Sequence, residues 1–191
     1  MVWTNHCLKR IKNLDASHFT SDYGIRIRRL LFPIMKAIIK IANGKKCILV
    51  SYPKLEDKES YIFAAGHSFP GDVGSNLSLM DRSAYPLVET TDQVDHNPQM
   101  NFLWANGLIY VNRFDSSSRK EAYKKMVRIL ASGTSVMLFP EGRPNNSENL
   151  DCVTLYPGIY HLSLETGKKL SPLWPIIMMK TILFCSRQVS P

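Results

Sequence analysis

No stretch of this 191-residue sequence approaches the roughly 20 consecutive apolar residues that a bilayer-spanning helix needs. Cysteine is scarce and scattered. Cys7, Cys47, Cys152 and Cys185 form no C-x-x-C pair, which argues against a zinc site or a disulfide framework and suits free thiols in a reducing compartment. Met1 to Arg10 lack the apolar core of a secretory leader, so none is expected. No internal repeat or low-complexity tract is present. Acidic residues are outnumbered: 16 Asp and Glu against 24 Lys and Arg leave a net charge of +8. That balance favours an anionic partner, which is nucleic acid, an anionic membrane or a phosphorylated substrate. With 45% hydrophobic and 21% charged residues, the composition is otherwise that of a folded domain, and the length suits one domain rather than two.

Periodicity supplies the organisation. From Ile25 to Ala42, the residues Ile27, Leu30, Leu31, Ile34, Ile38 and Ile41 follow helical spacing along one stripe. Arg29, Lys36 and Lys40 fall on the opposite side with Arg26 close by, and Pro33 predicts a kink. Such a helix either packs its stripe on its own domain or lies in a headgroup layer with its cations on anionic lipid. Strands are predicted at Cys47–Tyr52, Tyr61–Ala65, Gly107–Asn112, Ser135–Phe139 and Leu173–Met179. A helix is predicted over Ser116–Gly133, with Ser118 and Glu121 at capping-box spacing, Ala122, Met126 and Leu130 on one face, and Gly133 as its stop. A shorter helix is predicted from Gly158 to Glu165. Alternating strands and helices imply a single-domain α/β fold, with a mixed, mostly parallel central sheet flanked by helices. Residues 1–45 then form an N-terminal segment carrying the basic amphipathic helix, and residues 46–191 the main domain.

Three short constellations could carry chemistry. His67 and Asp72 sit in AAGHSFPGDVGS, with Pro70 and Gly71 between them, which reads as a turn. A carboxylate folded back on the imidazole would hold one ring nitrogen and raise the basicity of the other, preparing His67 to take a proton from a hydroxyl. The same pair could equally be a structural hydrogen bond. Arg113 ends the strand GLIYVNR, where it could grip phosphate oxygens or form a surface ion pair. In LFPEGRPN, Gly142 permits close backbone approach, Glu141 could accept from a substrate hydroxyl, and Arg143 follows; an ordinary turn would look alike.

The order of the three blocks resembles the glycerolipid acyltransferase family, which contains the 1-acylglycerol-3-phosphate acyltransferases. His67 and Asp72 match its H-x-x-x-x-D block, Gly107 through Arg113 its glycine, strand and arginine, and Phe139, Pro140, Glu141 and Gly142 its F-P-E-G. Pro172, Leu173, Trp174 and Pro175 match its fourth block loosely. Gly66 stands where the family usually has Asn, and Arg143 follows Gly142 without the usual Thr or Ser between. The resemblance implies that His67 is a general base oriented by Asp72. The acceptor hydroxyl would attack the thioester of acyl-CoA or acyl carrier protein, with no covalent acyl-enzyme, consistent with the missing G-x-S-x-G turn. Arg113 and Arg143 would bind the phosphate of a lysophospholipid acceptor, and Glu141 and Gly142 would shape its site. No metal or bound cofactor is required. A peripheral position on the cytoplasmic face of an anionic membrane would follow. Two other readings stay open: a catalytically silent relative that docks to lipid, and a basic nucleic-acid-binding domain, which no nucleic-acid motif supports.

Overall fold

The computed structural model describes residues 21–43, 46–49, 55–57, 59–67, 72–89, 107–145, 154–173 and 175–178. In chain order the elements are α1 (Asp22–Asn43), β1 (Lys46–Leu49), β2 (Ile62–Ala65), α2 (Asp72–Leu79), β3 (Ala84–Glu89), β4 (Ile109–Val111), α3 (Ser116–Ala131), β5 (Ser135–Leu138), α4 (Gly158–Thr166), β6 (Leu170–Leu173) and β7 (Pro175–Met178). Five strands form one sheet in the order β4-β3-β5-β2-β6. All of its pairings are parallel. The antiparallel component expected of a mixed sheet is a separate pair, β1 with β7. The expected strand from Leu173 to Met179 is therefore two: β6 joins the main sheet and β7 joins β1. The predicted continuation of the first strand to Tyr52 lies outside the described residues.

Helices cover both faces, and strand residues alternate between them as the pleat requires. Phe63, Met137 and Tyr110 pack with Phe32 and Ile39 of α1 and Leu77 of α2. Ile62, Val136, Tyr85 and Ile109 pack with Ala122, Met126, Ile129 and Leu130 of α3 and Leu162 of α4. β3 carries a proline inside the sheet. It pairs with β5 through Ala84, Tyr85 and Pro86, and with β4 through Leu87, Val88 and Glu89. Pro86 thus stands where the pairing changes over from one neighbour to the other, and there the missing N–H interrupts the ladder least.

α3 starts differently from its predicted capping box. Asp115 is the N-cap, its carboxylate accepting from the Ser117 N–H at 2.8 Å. Ser118 instead accepts from the Asn112 N–H, and Glu121 takes the Lys124 ammonium. Gly133, in the left-handed region at φ 76°, does close the helix. Tyr123 ties α3 to α4 by donating to Glu165 at 2.8 Å. Burial and, next, this carboxylate push the Tyr123 phenol up to about 12. A raised folded-state value stabilises the fold below the ordinary tyrosine range, and that stability is lost as pH rises through 12. Tyr123→Phe is expected to flatten this loss, seen as a smaller fall in Tm than the wild type between pH 10 and pH 12.

α1 inverts the expected polarity. Ile25, Phe32 and Ile39, spaced seven apart, are its buried apolar residues. Most of the expected stripe faces outward, with Leu30 78% and Ile41 81% exposed, Leu31, Ile34 and Ile38 also exposed, and Ile27 half-buried. The inward face is partly cationic. Arg28 donates to the Tyr85 hydroxyl, Arg29 to the Ser132 carbonyl and Thr134 hydroxyl, and Lys36 to the Met80 carbonyl. Arg29, although exposed, and the half-buried Lys36 are thus each tied to the domain, while Arg26 and Lys40 are exposed. Pro33 lies within the helix on its exposed side. No helix among the described residues is long and apolar enough to cross a membrane.

Candidate active site

Parallel strands present their C-terminal ends together, and in this sheet those ends carry the chemistry-bearing residues. His67 follows β2, Glu141 and Gly142 follow β5, and Arg113 follows β4. β2 and β5 are neighbours, whereas β3 separates β5 from β4.

Asp72 is the first residue of α2 rather than part of an irregular turn. The first turn of a helix carries N–H groups with no partner inside the helix, and a carboxylate placed there can accept from them. Asp72 is 1% exposed and His67 26% exposed, with Asp72 Oδ2 2.5 Å from His67 Nδ1. When Nδ1 carries the proton toward Asp72, Nε2 is the basic nitrogen of the neutral ring. The imidazole also packs against the Phe139 ring, at 4.7 Å between centroids. Its main chain is held on three sides. The Gly66 N–H donates to the Leu173 carbonyl of β6. The His67 carbonyl accepts from the Asn145 N–H at 2.6 Å, and its own N–H points at Glu141 Oε1 at 3.5 Å.

The turn after β5 is tight. Gly142 donates to the Phe139 carbonyl at 2.9 Å and sits at φ 65°. The Tyr156 N–H donates to the Pro140 carbonyl, fastening the segment before α4 onto this turn. Glu141 is buried. Arg113 reaches the same turn from β4: its Nη1 donates to the Gly142 carbonyl at 2.6 Å, and its Nε lies 2.9 Å from Glu89 Oε1 at the end of β3. Contacts thus run unbroken from Asp72 through His67 and the Glu141–Gly142 turn to Arg113. Arg143 is exposed, and no described contact ties it to His67, Asp72 or Glu141. Among the described residues, no group of three or more His, Cys, Asp or Glu could hold a metal ion.

A family model described as Acyltransferase matches residues 47–179. The chain belongs to the acyltransferase family. It is also similar to a protein from Borreliella burgdorferi described as 1-acyl-sn-glycerol-3-phosphate acyltransferase, with 29% identity over 150 residues. That match covers 76% of this chain and 58% of the relative, so the chain spans little more than half the length of the protein it resembles.

In this member of the family two residues at the site escape a reading by sequence. Glu89 is hidden because β3 carries Pro86, which disguises the strand that would have placed an acid beside Arg113. Asn145 acts through its backbone N–H, and a main-chain donor leaves no mark in residue type. The fourth block is divided, with Pro172 and Leu173 in β6 and Pro175 in β7. Trp174 lies outside the described residues.

Proposed function

We propose that this acyltransferase moves a fatty acyl group from the thioester of acyl-CoA or acyl carrier protein to a hydroxyl of a lysophospholipid or glycerol-phosphate acceptor. The His67–Asp72 contact carries the reading, since a buried carboxylate on Nδ1 is the arrangement that makes Nε2 a base. The acceptor O–H gives its proton to Nε2 as its oxygen bonds the thioester carbonyl carbon. The C–S bond then breaks, and the departing thiolate takes the proton back from the imidazolium. Asp72 stabilises that cation while it exists. Arg113, poised between Glu89 and the Gly142 carbonyl, would take the acceptor phosphate, with Glu141, Gly142 and the exposed Arg143 bordering it.

The outward stripe of α1 would set the protein on a membrane surface, where a lysophospholipid acceptor resides. A helix of 22 residues is about 33 Å long, and no described residue covers most of its apolar face. The exposed Arg26 and Lys40 flank that stripe and suit anionic headgroups.

The direct test is transfer from acyl-CoA or acyl carrier protein to a panel of lysophosphatidic acid, glycerol 3-phosphate and unphosphorylated monoacylglycerol. Transfer to none of them by the purified protein would overturn the reading. Arg113→Ala is expected to raise KM about 10- to 100-fold for the phosphorylated acceptors, the value of a charged hydrogen bond, and to leave KM for monoacylglycerol nearly unchanged. Equal effects on both acceptors would remove Arg113 from the phosphate site.

A further inference from the structure

Three guanidinium groups line a cleft that the proposed chemistry does not use. Arg26 and Arg29 from the start of α1 and Arg128 from the end of α3 border a space of about 480 Å³, together with Asp22 and Ser132. Among the described residues that line it, one carboxylate stands with three cations, and Asp22 lies 4.0 Å from Arg128. This described lining is net positive, and the volume admits a phosphate with an ester substituent. Arg29 is fixed in place by its bonds of 2.9 Å to the Ser132 carbonyl and 2.7 Å to the Thr134 hydroxyl. A planar group held in this way loses little freedom on meeting an anion.

Position separates this cleft from the candidate active site. Ser132 and Thr134 lead into the N-terminal end of β5, whereas His67, Glu141 and Arg113 follow the C-terminal ends of their strands. An anion held by Arg29 is at the wrong end of the sheet to be the acyl acceptor. Position also speaks to the kind of anion. Arg26, Leu30, Ile34 and Ile38 recur every four residues along α1, so they form one row on the helix surface. All four are exposed. A cation heading an apolar row matches a molecule with a phosphate at one end and a hydrocarbon chain attached. A free phosphate would leave the row bare.

We infer that this cleft is a headgroup site for an anionic phospholipid, holding its phosphate among Arg26, Arg29 and Arg128 while an acyl chain lies along Leu30, Ile34 and Ile38. The inference rests on the reading that α1 docks to a membrane. Flotation of the full chain with vesicles tests both. The vesicles are phosphatidylcholine alone, or phosphatidylcholine mixed with phosphatidylglycerol. The proteins are the wild type, Arg26→Gln/Arg128→Gln, and Lys120→Gln/Lys168→Gln, which removes equal charge elsewhere.

The wild type is expected to prefer the anionic vesicles. The arginine pair should lose on the order of 10-fold in that binding, and the lysine pair much less. Unchanged Tm in each variant assigns the loss to lipid contact. Flotation of the wild type with neither vesicle overturns docking by α1 and the cleft with it. Equal binding to both vesicles, or equal losses in the two double variants, overturns the cleft alone. Suppression of vesicle binding by millimolar inorganic phosphate, at ionic strength held constant with chloride, would identify the occupant as a soluble anion and also overturn it.

Discussion

Replacing His67 by alanine is expected to slow acyl transfer about 1,000-fold while leaving KM for donor and acceptor within a few-fold of the wild type. The imidazole is the group that would accept the acceptor's proton, and its loss removes both the base and the proton returned to the leaving thiolate. The fold should survive. His67 lies beyond the end of β2, its ring is a quarter exposed, and the bonds of its backbone to Asn145 and Glu141 do not need the side chain. Asp72→Asn is the complementary change. It keeps the shape at the start of α2 but removes the charge that supports the imidazolium, so a loss of about 100-fold is expected. Single-turnover assays with Tm measured in parallel read both effects. Undiminished transfer by the folded His67→Ala protein would exclude the histidine from the chemistry.

Gly107→Ala is expected to be the most damaging small substitution, costing about 3 kcal/mol or more. A Cβ at Gly107 would stand 2.3 Å from Tyr85 Cε1 and 2.4 Å from Cζ. That ring cannot retreat: it is fully buried, and its hydroxyl accepts from Arg28 at 3.2 Å. The backbone adds a second penalty, because φ at Gly107 is 103°, where L-residues are strained. A Tm lower by about 10 °C would match this size for a chain of this length.

Gly142→Ala makes the contrast. Its Cβ would meet Tyr156 Cε2 at 2.9 Å, yet Tyr156 is 61% exposed and can swing away. Only the left-handed backbone then resists, for a loss of about 1 kcal/mol. Near-equal Tm changes in the two variants would show that the Tyr85 ring yields after all.

Much of the architecture was legible because burial writes itself into residue type. The apolar runs at Tyr61–Ala65 and Ser135–Phe139 are central strands covered on both faces, so alternation was absent and hydrophobicity continuous. The stripe of Ala122, Met126 and Leu130 marked the inner face of α3. β3 was missed because Pro86 argues against a strand when read alone, and its changeover position is a property of the assembled sheet. α2 was missed because Gly74, Ser75 and Asn76 are poor helix formers. These residues are buried there, so packing overrides propensity.

By itself the sequence determined an α/β domain, a family, and the residue types available for proton transfer and phosphate binding, since motifs and periodicities are local. Tertiary structure decided where those residues point. The inward face of α1 proved to be the one bearing Arg28, Arg29 and Lys36, because each finds an acceptor on the domain and a satisfied cation can be turned inward. That choice left the more apolar stripe outside. Likewise Arg113 could be assigned to Glu89 and the Gly142 carbonyl only after three strands were aligned side by side, for hydrogen bonds between distant segments depend on geometry that no spacing records.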